Sequence, residues 1–211
     1  MLLSSWLRCW RSLQTCGDGG DGGDGIALMQ KVTTAYAEPQ RSYHTIQHLN
    51  ECLALLEPHL GLAEHPAEVE IALWFHDAVY DVEGKDNEAR SASWAETELI
   101  AAGVTPDAVE RIRKLIMATC HSALPEGRDQ QLLVDVDLAI LGAPRARFIE
   151  YEEQVRKEYD WVPGWLFRRK RRGILKEFLA RDPIYNTPQI RTQLEGQARE
   201  NLAYSLSQLR G

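Results

Sequence analysis

The chain of 211 residues is 44% apolar and 26% charged, which is typical of a folded, soluble protein, and it is long enough for one sizeable core or two small ones; we favour one domain. Its 24 basic and 31 acidic residues give a formal net charge of −7, which argues against general binding to nucleic acid or to anionic membranes. The four cysteines form no CxxC pair and lack zinc-finger spacing, so we expect reduced thiols in a cytoplasmic protein.

Residues 1–16 are expected to form a short amphipathic helix. Apolar side chains recur there at roughly helical spacing, while Arg8 and Arg11 interrupt the apolar run and argue against a signal peptide. We expect this helix to dock on the domain; a helix lying on a membrane surface is the alternative. No apolar run in the sequence approaches the roughly 20 residues that span a bilayer.

Residues 17–25, with the sequence GDGGDGGDG, are the only low-complexity stretch. Glycine loses more backbone freedom on folding than any other residue, and a segment with this many glycines therefore disfavours regular structure. Calcium-binding glycine-aspartate repeats need apolar residues between their turns, and this segment has none. We therefore expect a flexible linker.

From residue 26 onward the apolar residues recur with helical period. Nine helices are predicted, over residues 26–37, 42–59, 66–80, 87–102, 106–121, 130–141, 144–159, 165–181 and 187–210. Prolines lie at or near several of the predicted helix starts, where the missing N–H costs nothing. The alternation typical of strands is nearly absent, which predicts an all-α fold formed as one domain over residues 26–211.

Histidine and aspartate residues stand inside several of these apolar stretches. His44 and His48, in YHTIQHL, are four residues apart and are predicted to lie on one helix face. His76 and Asp77 are adjacent in LWFHDAVYD, and Asp137 lies among Leu, Val and Ile in LLVDVDLAILG. Burying such groups without partners costs several kcal/mol, so we expect these side chains to have a shared binding partner or to contact one another.

A metal ion is the simplest common partner for these side chains. Two imidazoles and two carboxylates from three helices suit a borderline divalent ion such as Mn²⁺, Fe²⁺, Co²⁺ or Ni²⁺, with positions left for water. Carboxylates alone would suit Mg²⁺ or Ca²⁺ better, and thiolates would suit zinc. We expect one or two divalent ions, with Mg²⁺ kept among the candidates.

The ordered blocks YHTIQH, LWFHDAVYD, DNEARSA and DVDLAILG resemble the HD superfamily of metal-dependent phosphohydrolases. Among them, they look like a bacterial subgroup of predicted HD-type phosphohydrolases, and the resemblance covers about residues 6–209. It implies an HD-domain helical bundle, a single domain with additional N- and C-terminal helices. It also implies a divalent metal and hydrolysis of a phosphomonoester or phosphodiester of a small molecule such as a nucleotide.

The resemblance also implies the ligand set, which is His48, His76, Asp77 and Asp137. Asp77 would bridge the ions if a second one is bound, and would then orient the attacking water. Asp135 lies two residues before Asp137 on the same predicted helix, about 200° away, so only one of the two is expected to reach the ion. The resemblance favours Asp137.

Two further histidines are candidates for catalysis. His44 resembles the first histidine of the YHN-x-x-H block of cyclic-nucleotide phosphodiesterases, which protonates the leaving oxygen, although Thr45 replaces the Asn. Its alternatives are a metal ligand or a support for one. His121 ends a predicted helix, where it would bind phosphate, serve a second metal or cap the helix as a cation.

Substrate contacts are expected from Tyr43, Glu88, Ser91 and Arg172. Glu88 and Ser91 are one helical turn apart and can reach back to the site together; the alternative is a solvated helix start. Arg172 belongs to RRKRR, residues 168–172, for which a solvated helix or a surface for an acidic partner is favoured over a phosphate contact.

Three functions are compatible with these features. A metal-dependent phosphohydrolase with a small phosphorylated substrate is favoured, without a nucleic-acid or membrane partner. A catalytically silent HD module that binds a nucleotide is the second. The third is a di-iron oxygenase, for which His44 and His121 would have to supply extra ligands. No oligomeric state follows from the sequence.

Overall fold

The computed structural model describes residues 1–14, 23–121 and 123–209, so most of the predicted linker at 17–25 lies outside the described residues. Within this part the protein is helical and contains no strand, which confirms the predicted all-α class. No helix in the described ranges is both long and apolar enough to cross a membrane. The α-helices are α1 Leu2–Gln14, α2 Ile26–Ala35, α3 Ile46–Leu56, α4 Pro66–Phe75, α5 Asn87–Ala101, α6 Pro106–Ala118, α7 Gly127–Asp137, α8 Arg145–Glu158, α9 Gly164–Ala180 and α10 Pro188–Gln208. Short 3-10 helices follow α3 and α7, at Glu57–Leu62 and Leu138–Gly142.

The chain forms two compact units, Met1–Val134 and Asp135–Gly211, and the boundary falls inside α7. In the first unit α4 is the central helix, because it packs against α1, α3, α5 and α6. Eight of its ten residues are buried, including every residue from Glu68 to Phe75. A helix that is apolar nearly all round is stable only when other elements surround it, and α4 has that position.

Helix α1 is held on α4 by a buried polar contact and by aromatic packing. Glu70, which is 2% exposed, accepts hydrogen bonds from the Ser5 hydroxyl at 2.7 Å and from Arg8 Nε at 3.0 Å. The rings of Trp6 and Trp74 meet edge to face, with centroids 5.0 Å apart. A buried carboxylate needs such partners, so α1 and α4 pack as one element.

The start of α4 is fixed from two other helices. Arg111 of α6 forms a two-pronged ion pair with Glu68, at 2.8 Å from Nε and 2.6 Å from Nη2. Asp129 of α7 accepts hydrogen bonds from the backbone N–H groups of Glu64 at 2.7 Å and His65 at 3.1 Å. These contacts satisfy N–H groups at the helix start and set the position of α7 in the first unit.

The second unit is built around α10, which packs on α9 and on the 3-10 helix Leu138–Gly142. Gly142 is required there, since a Cβ atom at this position would lie 2.6 Å from the Cβ of Leu194. The Asn201 amide donates to the carbonyls of Leu141 and Ala143, each at 2.8 Å. The small side chain and the amide together bring α10 close to the 3-10 helix.

Helix α3 begins later than the sequence analysis predicted. Thr45 has extended backbone angles and its hydroxyl accepts a hydrogen bond from the Gln47 N–H at 3.3 Å, so the helix begins at Ile46. His44 therefore lies in the preceding turn, and the prediction that it shares a helix face with His48 is wrong. The two rings are still neighbours, with centroids 6.0 Å apart.

Helix α4 ends earlier than predicted, at Phe75. His76 is its C-cap residue, and Asp77 lies in the turn that follows. The backbone N–H of Ala78 closes this turn on the Phe75 carbonyl at 2.9 Å. The prediction that His76 and Asp77 project from one continuous helix is therefore wrong, because α4 ends at Phe75, before both residues.

Candidate metal centre

The C-terminal end of α4 presents His76 in a fixed orientation. Its side chain is 1% exposed, and Nδ1 lies 2.7 Å from the carbonyl oxygen of Leu73. A carbonyl can only accept a hydrogen bond, so Nδ1 carries the proton. The other ring nitrogen, Nε2, is then the lone-pair atom of the neutral ring, which is the form that binds metals.

Two further potential ligand atoms lie close to His76 Nε2. His48 Nε2 lies 3.1 Å from His76 Nε2, and Asp77 Oδ2 lies 3.0 Å from His76 Nε2 and 3.5 Å from His48 Nε2. A carboxylate oxygen that faces the lone pair of a neutral imidazole is repelled. The arrangement is therefore stable only when a proton or a cation lies among the three atoms.

The spacing of these atoms fits a divalent metal ion. Two ligands at right angles, each about 2.1 Å from an ion, are about 3.0 Å apart, and tetrahedral ligands are slightly further apart. The three observed separations, from 3.0 to 3.5 Å, fall in that range. Two imidazoles and a carboxylate also form a donor set suited to borderline ions. This buried group of histidine and aspartate side chains could hold a metal ion.

The electrostatic environment keeps Asp77 ionised. Burial acts to raise the pKa of this carboxyl, but the positive charge of protonated imidazoles, His76 first and then His44, lowers the pKa by more than burial raises it. The pKa therefore lies well below its ordinary value when protons, and not a metal ion, supply the positive charge at this group. A carboxylate that stays charged in a buried place is available to a cation. The side chain is 15% exposed, which leaves an edge open for a ligand.

The chain matches no known protein-family model, no curated protein and no solved structure. The resemblance to HD-type phosphohydrolases therefore stays a prediction, as do the functions it implies. What the structure supports independently is narrower: a buried His/Asp group with the orientation and spacing of metal ligands.

Arg41, which the sequence analysis did not single out, holds the backbone around this group. Its side chain is fully buried, and its guanidinium donates to the carbonyls of His44 at 3.1 Å, Asp77 at 2.6 Å and Ala78 at 3.0 Å. Its Nε donates to Glu38 at 3.1 Å. One side chain thus joins the turn before α3 to the turn after α4, which are the turns that carry His44 and Asp77.

Aromatic rings line the His44 side of the group. The His44 ring stacks on Tyr80, with centroids 4.2 Å apart, and meets Tyr43 edge to face at 4.9 Å. Tyr43 also packs against His48, with ring centroids 4.8 Å apart. The predicted substrate contact Tyr43 and the predicted acid His44 therefore both lie beside the candidate ligand His48.

Asp135 and Asp137 have different surroundings in the second unit. Asp135 is fully buried, and its carboxylate accepts hydrogen bonds from the backbone N–H groups of Asn186 at 3.0 Å and Thr187 at 2.5 Å. Both carboxylate oxygens of Asp135 are therefore used to cap the start of α10. Asp137 is the last residue of α7 and is half-buried. Its role as a ligand stays a prediction.

Two predicted substrate contacts lie on α5 or at its start, in the first unit. The Ser91 hydroxyl accepts a hydrogen bond from the backbone N–H of Val79 at 3.0 Å, so it supports the turn that follows His76. Glu88 is half-buried and lies near Cys120: burial first, and then the Glu88 charge, raise the pKa of that thiol. Whether either residue touches a substrate stays a prediction.

The two other predicted residues are His121 and Arg172. His121 follows α6 with a positive φ of 53°, which is uncommon for a residue with a side chain, and its ring is half-buried. Arg172 lies on the exposed face of α9 in the second unit. The structure therefore gathers His44, Tyr43 and the three ligand-type residues in the first unit, and Arg172 lies in the second unit. The roles of His121 and Arg172 stay predictions.

Proposed function

We propose that this protein is a metal-dependent phosphohydrolase that cleaves a phosphomonoester or phosphodiester of a small molecule such as a nucleotide. The proposed metal ligands are His48, His76, Asp77 and Asp137. The observation that carries the proposal is the convergence of Nε2 of His48, Nε2 of His76 and Oδ2 of Asp77 within 3.5 Å of one another. The resemblance to HD-type phosphohydrolases supports the reaction class and contributes Asp137.

Each polar residue has a distinct task in this proposal. A bound divalent ion supplies polarisation of a phosphoryl oxygen and lowers the pKa of a coordinated water. His44 gives a proton to the leaving oxygen, with its ring held by stacking on Tyr80 and its backbone carbonyl held by Arg41. Asp77 keeps its negative charge beside the histidines and orients the attacking water by accepting a hydrogen bond from it.

The experiment is a phosphate-release assay on the purified full chain. The substrates are nucleoside mono-, di- and triphosphates, cyclic nucleotides and simple phosphomonoesters, each with Mn²⁺, Co²⁺, Ni²⁺ or Mg²⁺. We expect release with at least one pair of metal and substrate, and a loss of about a hundredfold or more in Asp77→Asn. Asp81→Asn is the matched control, because Asp81 is an exposed acid in the same turn region.

Two results would assign another function, and a third would contradict the assigned site. A nucleotide that raises the melting temperature without any release of phosphate would indicate a silent binding module. Oxygen consumption by the iron-loaded protein would indicate an oxygenase. Equal phosphate release in Asp77→Asn and in wild type would contradict the assigned site.

A further inference from the structure

The charge of this acidic protein is unevenly divided along the chain. Residues 135–211, the second unit, contain fourteen basic and eleven acidic residues, although the whole chain has a net charge of −7. The acidic excess therefore belongs entirely to residues 1–134. An anionic partner that the net charge of the whole chain would repel can still be attracted by the second unit.

The largest cluster of these basic residues lies on α9. Residues 161–176 include six basic residues and no acidic residue. Only Arg171 of the six is buried, where its guanidinium donates to the Tyr151 hydroxyl at 2.7 Å and forms an ion pair with Glu152. The five exposed cations are Arg168, Arg169, Lys170, Arg172 and Lys176.

Four exposed residues form a continuous stripe along α9, about 100–160° around the helix axis from the buried Arg171. They are Trp165, Arg169, Arg172 and Lys176, at positions i, i+4, i+7 and i+11, and we call them the basic stripe. The stripe is about 16 Å long, at 1.5 Å per helical residue. None of its three cations forms an ion pair with a residue that the structure describes.

Two tryptophans add apolar area beside these cations. Trp165 is 63% exposed and Trp161, in the turn before α9, is 52% exposed. Indole rings are usually buried in a core, and where they stay exposed they favour surfaces that are apolar on one side and wet on the other. An exposed pair next to a block of cations is the combination found where a helix lies on a bilayer.

We propose that the basic stripe, with Trp161, binds the surface of anionic lipid bilayers and holds the protein there peripherally. The cations meet the negative headgroups and the indole rings enter the interfacial layer. Nucleic acid is the weaker match, because proteins that bind single strands hold the backbone in a charged groove, whereas the three cations of the stripe lie along the exposed face of a single helix. This inference is independent of the proposed phosphohydrolase activity.

The test is co-sedimentation of the full chain with vesicles of phosphatidylcholine alone and of phosphatidylcholine with phosphatidylserine. The test variant is Arg169→Glu/Arg172→Glu/Lys176→Glu. The matched control is Lys85→Glu/Lys114→Glu/Arg128→Glu, which changes the net charge equally at exposed positions of the first unit. Circular dichroism confirms that both triple variants are folded, and Trp165→Ala tests the aromatic contribution.

We expect binding to the anionic vesicles alone, weaker at high salt. Binding should fall by at least about fivefold for each cation reversed in the stripe, because its attraction is lost and repulsion is added, and binding should persist in the control variant. Trp165→Ala should weaken binding without changing its salt dependence. Absence of binding to anionic vesicles at low salt, equal binding to neutral vesicles, or an unchanged stripe variant would overturn the proposal. Tighter binding to an oligonucleotide than to vesicles would assign the face to nucleic acid instead.

Discussion

The guanidinium of Arg41 donates a hydrogen bond to the backbone carbonyl of Asp77 across 2.6 Å. The same group also donates to the carbonyl of His44, so the proposed acid and the proposed ligand are tied through one buried cation. The planar guanidinium can reach several carbonyls at fixed angles, which the ammonium group of a lysine cannot do. Arg41 is therefore a positioning residue for the candidate metal centre.

Replacing Arg41 by Lys should weaken metal binding without removing any ligand. The charge is kept, but the bonds that hold the two turns in register are lost. Supporting residues of this kind typically change metal affinity by about 10- to 100-fold, and we expect that range for Mn²⁺ measured by isothermal titration. Arg90→Lys, at an exposed position, is the control and should bind as wild type does. Wild-type affinity in Arg41→Lys would show that the turns hold their positions without the clamp.

His44→Ala should reduce turnover in a way that depends on the leaving group. An alkoxide needs a proton when it departs, whereas p-nitrophenolate does not, so the loss should be about 10²- to 10⁴-fold for an alkyl phosphoester and much smaller for the p-nitrophenyl ester. Steady-state rates on the two substrates measure this difference. His59→Ala, at a histidine bonded to the Leu55 carbonyl, should leave both rates unchanged. Equal losses on both substrates would show that His44 acts in binding and not as an acid.

The two acidic partners of Arg8 should differ in their value to stability. Arg8→Ala leaves the carboxylate of Glu70, which is 2% exposed, without its cation, and we expect a loss of about 3 kcal/mol in the free energy of unfolding. Glu57→Gln removes only the exposed partner, which is 51% accessible, and should cost less than about 1 kcal/mol. Urea unfolding measures both. Similar losses in the two variants would mean that the buried carboxylate is not what holds α1 on α4.

Asp135 and Asp137 should separate stability from metal binding. Asp135→Ala removes the acceptor of two backbone N–H groups at the start of α10, so the free energy of unfolding should fall by about 3 kcal/mol while Mn²⁺ affinity is kept. Asp137→Asn should lower the affinity for Mn²⁺ and leave the free energy of unfolding unchanged. Asp182→Ala, at a side chain that is 98% exposed, is the control for stability. Loss of metal affinity in Asp135→Ala alone would exchange the two assignments.

The helical framework was predictable because its signals are local. Apolar residues at helical spacing and prolines near helix starts predicted every helix of the structure except the exact ends. The ends that mattered were missed for a physical reason. Thr45 caps α3 through its hydroxyl, but Ser42 three residues earlier is an equally good cap residue in the sequence. After Phe75 the residues stay apolar enough to continue a helix, so nothing local marks its end.

The ligand-type residues of the candidate site could be predicted from the sequence, but the residue that holds their turns in place could not. Histidines and aspartates in apolar surroundings identified His48, His76 and Asp77, because unpartnered polar groups are costly there. Arg41 gave no such signal: its carbonyl partners at Asp77 and Ala78 are 36 and 37 residues away along the chain. Thr45 carried a usable signal for the turn that places His44, as a threonine directly before an apolar helical run.

The buried His/Asp group is expected to bind a divalent metal ion, and a titration of Mn²⁺ into the metal-stripped protein measures this binding. Wild type is compared with His48→Ala/His76→Ala and with the matched double variant His59→Ala/His65→Ala, which removes two histidines outside the site. We expect stoichiometric binding in wild type and in the matched variant, and loss of binding in His48→Ala/His76→Ala. Absence of binding in folded wild type, or unchanged binding after loss of His48 and His76, would contradict it.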